Sequence, residues 1–116
     1  MNKFLQQFLI LFICITSSAF AQPANDDPCN ATHLSIAASC NYTQHNNNNA
    51  TATQGVPGPG CANYSGGDVW FTVTVPASGA VTVDTKQGTI TDGGMAFYTG
   101  PNCNTLSLLS CDDDNS

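Results

Sequence analysis

The chain of 116 residues contains no glutamate and no arginine, and its two lysines are Lys3 and Lys86. All eight acidic residues are aspartate, and the net charge is −6. A surface this poor in cations cannot neutralise phosphates, which excludes nucleic-acid binding. It also offers nothing for docking on anionic lipid. Beyond Ala21 no apolar run is long enough to span a bilayer, and no window shows a 3.6-residue apolar period. Essentially no helix is therefore expected there.

Signs of catalysis are missing too. There is no Gly-x-Ser-x-Gly elbow and no Cys-x-x-Cys pair to suit zinc. Ser65 lies in the turn Tyr64-Ser65-Gly66-Gly67-Asp68, and nothing local orients His33 or His45 toward it. Asp68, Asp84 and Asp92 read as strand-end and turn aspartates rather than a glycosidase pair. No acid–base constellation emerges, so the segment is not expected to be an enzyme.

What is present begins with a targeting segment. Met1-Asn2-Lys3 is a short cationic start, and the run from Phe4 to Ile15 is apolar except for Gln6 and Gln7. Ala19-Phe20-Ala21 places small residues where a signal peptidase reads them, so cleavage is expected before Gln22. Only Phe8 to Ile15 is uninterrupted, far short of the ~20 residues a spanning helix needs. We read residues 1–21 as a signal peptide, 22–28 as a polar arm and 29–116 as one β module. Its expected place is secreted or at the cell surface, with no membrane contact after signal removal.

After Ala21 one lysine stands against eight aspartates, a net charge of −7. Thr, Ser and Asn make up 30 of those 95 residues, whereas Leu, Ile, Val and Phe number 14. Such a composition borders on disorder. Alternating apolar runs and spaced cysteines argue instead for a small cross-linked β module with a thin core.

The alternation is clearest in Asp68 to Val75, with Val69, Phe71, Val73 and Val75 on one face and Trp70, Thr72 and Thr74 on the other. Pro76-Ala77-Ser78-Gly79 reads as a turn, and Ala80 to Thr85 as the returning strand of a hairpin. A second pair is expected from Gly94 to Thr99 and Thr105 to Ser110. Thr32 to Ala38 reads as a first strand, Ala50 to Gln54 as a weak one, and Asn46 to Asn49 as a solvated loop or strand edge. Gly55 to Gly60 is turn chemistry. The fold class is all-β, a jelly-roll-like antiparallel β-sandwich. Five or six strands fall short of the usual seven or eight, so the sandwich is expected to be incomplete at its C-terminal side.

Five cysteines follow the signal, an odd number for an oxidising compartment. Cys103 and Cys111 bracket a short strand and suit a staple, and Cys40 with Cys61 would close the Asn/Thr-rich stretch, leaving Cys29 unpaired. Spacing also permits Cys29 with Cys40 and a free Cys61. A loop of about 20 residues closed in this way is worth roughly 3 kcal/mol.

Two groups are binding candidates. Asp112, Asp113 and Asp114 are the densest oxygen donors and form a candidate calcium loop, against the plainer reading of a solvated acidic loop. Trp70, Tyr64 and Tyr98 are candidates for stacking on a sugar, against burial in a thin core.

The stretch from Tyr64 through Asp68-Val69-Trp70-Phe71 to Pro76-Ala77-Ser78-Gly79, continued by Gly94-Met95-Ala96-Phe97-Tyr98-Thr99-Gly100 and Leu106 to Asp114, resembles a known module. It is similar to a β-sandwich module of secreted multidomain proteins of Bacteroidetes-type bacteria, and more distantly to the bacterial pre-peptidase C-terminal domain. The resemblance spans roughly residues 26–116. It implies a non-catalytic accessory domain for adhesion, carbohydrate contact or spacing, with an extracellular polysaccharide or a surface protein as partner. It further implies a parent protein that often carries a type IX secretion signal, and a later cysteine to suit Cys29. The alternative is the N-terminal accessory part of a secreted hydrolase, a peptidase or glycoside hydrolase, with its catalytic domain beyond Ser116.

Overall fold

Pro28 opens a short 3₁₀ turn, Pro28–Asn30, where its fixed φ fits and its missing N–H costs nothing. The computed structural model describes residues 20–113, so most of the segment read above as a signal peptide, together with Asp114, lies outside it. The Asn30 N–H donates to the Asp27 carbonyl at 2.9 Å, and the chain then enters β1, Thr32–Leu34. β1 runs parallel to β2, Phe71–Val73, with Thr32 opposite Phe71 and Leu34 opposite Val73. β3, Gly94–Asn102, and β4, Thr105–Asp113, form an antiparallel hairpin around Cys103 and Asn104. The class is all-β, and the 3₁₀ turn is the one helical element among the described residues.

The hairpin is longer than its alternation suggests, because bulges absorb the breaks. Phe97 faces Ser110 but Tyr98 faces Leu108, so Leu109 is the extra residue on β4. A bulge resets which side the following residues face. Leu106 and Leu108 are half-buried, Leu109 is 64% exposed, and Cys111 turns inward again. Gly100 sits directly against the Thr105 carbonyl, where no side chain fits.

The hairpin expected from Asp68 to Thr85 does not form. Its turn is there: the Gly79 N–H donates to the Pro76 carbonyl at 2.9 Å, with Gly79 at φ +79°. This is a turn closed by a left-handed glycine, which normally starts a bulged hairpin. The complementary rung needs an N–H from residue 76, and proline has none. β2 therefore pairs with β1, and residues 80–85 form no strand. Thr32 to Ala38 shortens to Thr32–Leu34, and Ala50 to Gln54 is extended but unpaired as a strand. The acidic stretch is also corrected, since Asp112 and Asp113 belong to β4, opposite Met95 and Gly94.

The disulfides differ as well. Cys29 is bonded to Cys103 and Cys61 to Cys111, with Cα separations of 5.0 and 6.2 Å; Cys40 is free and exposed. Neither Cys103–Cys111 nor Cys40–Cys61 is formed, and Cys29 is not the unpaired residue. Strand geometry explains the first. Cys103 lies at the hairpin turn and Cys111 along β4, and eight residues at about 3.3 Å each separate them by roughly 25 Å. A disulfide tolerates a Cα separation of about 7 Å at most. Each bridge instead ties the hairpin to a distant part of the chain.

No apolar side chain is buried among the described residues, and the one buried polar side chain is Asn25, 8% exposed. The two bridges join residues 74 and 50 positions apart. Replacing either pair by serine should lower the unfolding free energy by about 4 kcal/mol, the chain-entropy value for loops of that size. Chymotryptic mapping without reduction should recover the two cross-linked pairs and Cys40 alkylated. A Cys40–Cys61 peptide would contradict this fold.

Candidate functional site

The described part of the chain is organised around Trp70, just before β2. Its N–H donates to the Asn25 carbonyl at 2.8 Å. The Asn25 side-chain amide returns a bond to the Trp70 carbonyl at 2.9 Å, which also accepts from the Thr32 N–H at 3.0 Å. Asn25 thus pairs with the backbone as a strand residue would, and joins the N-terminal arm to the tryptophan. Burial of its amide is tolerated because the bonds are made.

Beside it lies Asp68. Its Oδ1 accepts from the Thr53 N–H at 3.2 Å and from the Tyr64 hydroxyl. Its Oδ2 accepts from the Thr53 hydroxyl at 2.5 Å and from the Trp70 indole N–H at 2.7 Å. A carboxylate has about four lone-pair positions, and here four donors fill them. Asp26 repeats the device with Thr51, two residues before Thr53, taking its N–H at 2.6 Å and its hydroxyl at 2.8 Å. Thr51 and Thr53 share one side of an extended segment. Each gives its N–H and its hydroxyl to one carboxylate, so two aspartates clip residues 51–53 in place.

The charge state of Asp68 follows from this. Partial burial pushes its carboxyl up, but the bonds from Thr53, Tyr64 and Trp70 outweigh that and hold it below the usual carboxylate value. The Tyr64 phenol is pushed up to about 12 by desolvation, then by its bond to Asp68. Desolvation also raises Tyr98, with the Asp68 charge adding to it. At neutral pH Asp68 is therefore an anion whose lone pairs are already engaged. It is neither a proton donor nor an available nucleophile.

The three aromatic candidates do come together. The Trp70 and Tyr98 rings lie 5.2 Å apart, tilted by 53°, and the Tyr98 hydroxyl donates to the Pro57 carbonyl at 2.8 Å. Trp70 and Tyr98 are half-buried, while Tyr64 is 42% exposed. Every polar tip is tied to protein. The acidic candidates do not gather in this way. Asp112 and Asp113 occupy successive strand positions, whose side chains point to opposite faces. No group of three metal-ligating side chains occurs among the described residues, and Asp114 lies outside them. His33 lies beside Thr72 at 3.4 Å and His45 packs edge-on to Phe71 at 4.7 Å, with no hydrogen bond joining either to Ser65 among the described residues.

Sequence reasoning missed Asn25, Asp26, Thr51 and Thr53. The one signal on offer was the Thr-x-Thr spacing in a stretch too polar to be a core strand.

Asp68→Asn should destabilise the protein by about 2 kcal/mol, since bonds to a charged acceptor are worth roughly 1.5–3 kcal/mol. The native carboxyl holds its proton less tightly than the unfolded one. Its contribution is therefore complete above the unfolded value near 3.8 and is lost as pH falls through the lower native value. Urea unfolding across that range should show the gap between wild type and Asp68→Asn closing on acidification. A gap independent of pH would remove Asp68 from the centre of the network.

No protein-family model, no curated protein and no solved structure matches this chain.

Proposed function

We propose that this chain is a non-catalytic extracellular module, an accessory part of a secreted or cell-surface protein that serves adhesion, carbohydrate contact or spacing. One observation carries the reading. The carboxylate best placed for chemistry, Asp68, spends all four of its acceptor positions on Thr53, Tyr64 and Trp70. Such a group holds a fold rather than turning over a substrate.

Two further features agree with it. The two disulfides fit an oxidising compartment, and among the described residues no helix is long and apolar enough to cross a membrane. Secretion by the type IX route belongs to the same proposal.

Expressed with its leader in an exporting bacterium, the protein should accumulate outside the cytoplasm with Gln22 as its first residue. The purified protein should release neither reducing sugar from polysaccharide nor peptide from casein. Release that persists through purification and is lost in Asp68→Asn would overturn the accessory reading.

A further inference from the structure

On the arm's side of the molecule is an open groove of ≈ 380 Å³, lined by Gln22, Asn25, Gln44, Asn46, Asn48 and Asn49. His45 contributes to the same wall, its ring steadied edge-on against Phe71 at 4.7 Å. Among the described residues no aspartate and no lysine lines the groove, although eight aspartates follow residue 21.

The four-asparagine run is divided in its roles. Asn47 is half-buried, and its side-chain amide donates to the Gly67 carbonyl at 2.9 Å, fixing the loop to the stretch that leads into Trp70. Its own carbonyl accepts from the Ala50 N–H at 3.0 Å, and Asn49 takes a left-handed φ of 61°. Asparagine tolerates that conformation better than most residues. Asn46 Oδ1 accepts from the Asn48 N–H at 3.2 Å. One asparagine thus anchors the turn, and Asn46, Asn48 and Asn49 are exposed along the groove. A loop that is merely solvated needs no such anchor.

The lining selects a ligand class. Among the described residues no side chain of the lining is an aspartate or a lysine, and the one charge that cleavage leaves there is the α-ammonium of Gln22. Apart from Ala21, which leaves with the signal, its apolar lining is Pro23 and Ala24, small surfaces that offer little to the side chains of an extended peptide. Each carboxamide both donates and accepts, as a hydroxyl does, and the volume falls within the range of about 300–1,000 Å³ typical of small-ligand sites. We propose that this groove binds a neutral polysaccharide through its amide side chains, apart from the Trp70–Tyr98 pair. The inference rests on the extracellular accessory reading and names the partner of that module.

The test is affinity electrophoresis of the full chain in gels containing dextran, mannan or laminarin, which are neutral, or alginate or polygalacturonate, which are anionic. The expected result is retardation by at least one neutral polymer, stronger than by either anionic one. Gln44→Ala with Asn48→Ala should weaken it at least tenfold with Tm unchanged, since among the described residues neither side chain makes a hydrogen bond that holds the turn. As a readout independent of variants, amide exchange of residues 44–49 should slow when the retarding polymer is added. The proposal is overturned if no neutral polymer retards the chain, or if anionic polymers do so equally. It is also overturned if Tyr64→Ala abolishes retardation while the double variant and the exchange of 44–49 are unaffected. Those outcomes leave the accessory reading intact, whereas hydrolysis of any polymer in the gel defeats that reading and not the groove.

Discussion

A single carboxylate, that of Asp68, holds the stretch around Thr53 against the segment that carries Tyr64 and Trp70. Its donors come from Thr53, Tyr64 and Trp70, and Asn25 and Asp26 attach the N-terminal arm to the same assembly. In most small domains this organising role falls to buried aliphatic side chains, each worth about 1.5–3 kcal/mol. Here none is buried among the described residues. Bonds to charged acceptors at about 1.5–3 kcal/mol each, with two bridges at about 4 kcal/mol each, are of the size needed to take that place. Contacts that span 15 to 74 residues tie the long irregular stretches together.

That arrangement has a chemical consequence. Polar groups saturated by the fold are withdrawn from catalysis, and the aromatic rings beside them are fixed at their polar tips. What remains available for a partner is the surface that the network does not use. The amide-lined groove is one such surface, and its anchoring through Asn47 to Gly67 draws on the same central assembly.

Strict alternation made the β3–β4 hairpin legible, because a period of two with turn residues between leaves few other folds. The Asp68–Val75 run alternates even better, yet residues 80–85 do not pair with it, and Pro76 lacks the N–H for the rung next to the turn. The cysteine pairing was hidden for a related reason. Spacing along the chain says little once a strand carries two cysteines roughly 25 Å apart, and the hairpin turn at Cys103 comes to lie against Pro28–Asn30. The Asp–Thr clips were illegible in a stronger sense. Thr51 and Thr53 look like any polar loop residues, and their value depends on carboxylates 25 and 15 residues away. The aromatic trio was legible as a group, but its hydrogen bonds were not.

Native-state amide hydrogen exchange of the intact protein addresses the central claim most directly. A polar assembly that carries the fold should give its slowest-exchanging amides at Thr32, Thr51, Thr53 and Trp70, as protected as those in the middle of β3 and β4. If those four exchange as fast as the loop at Gly88, while only the hairpin is protected, the network is an ornament on a disulfide-held hairpin and the account fails.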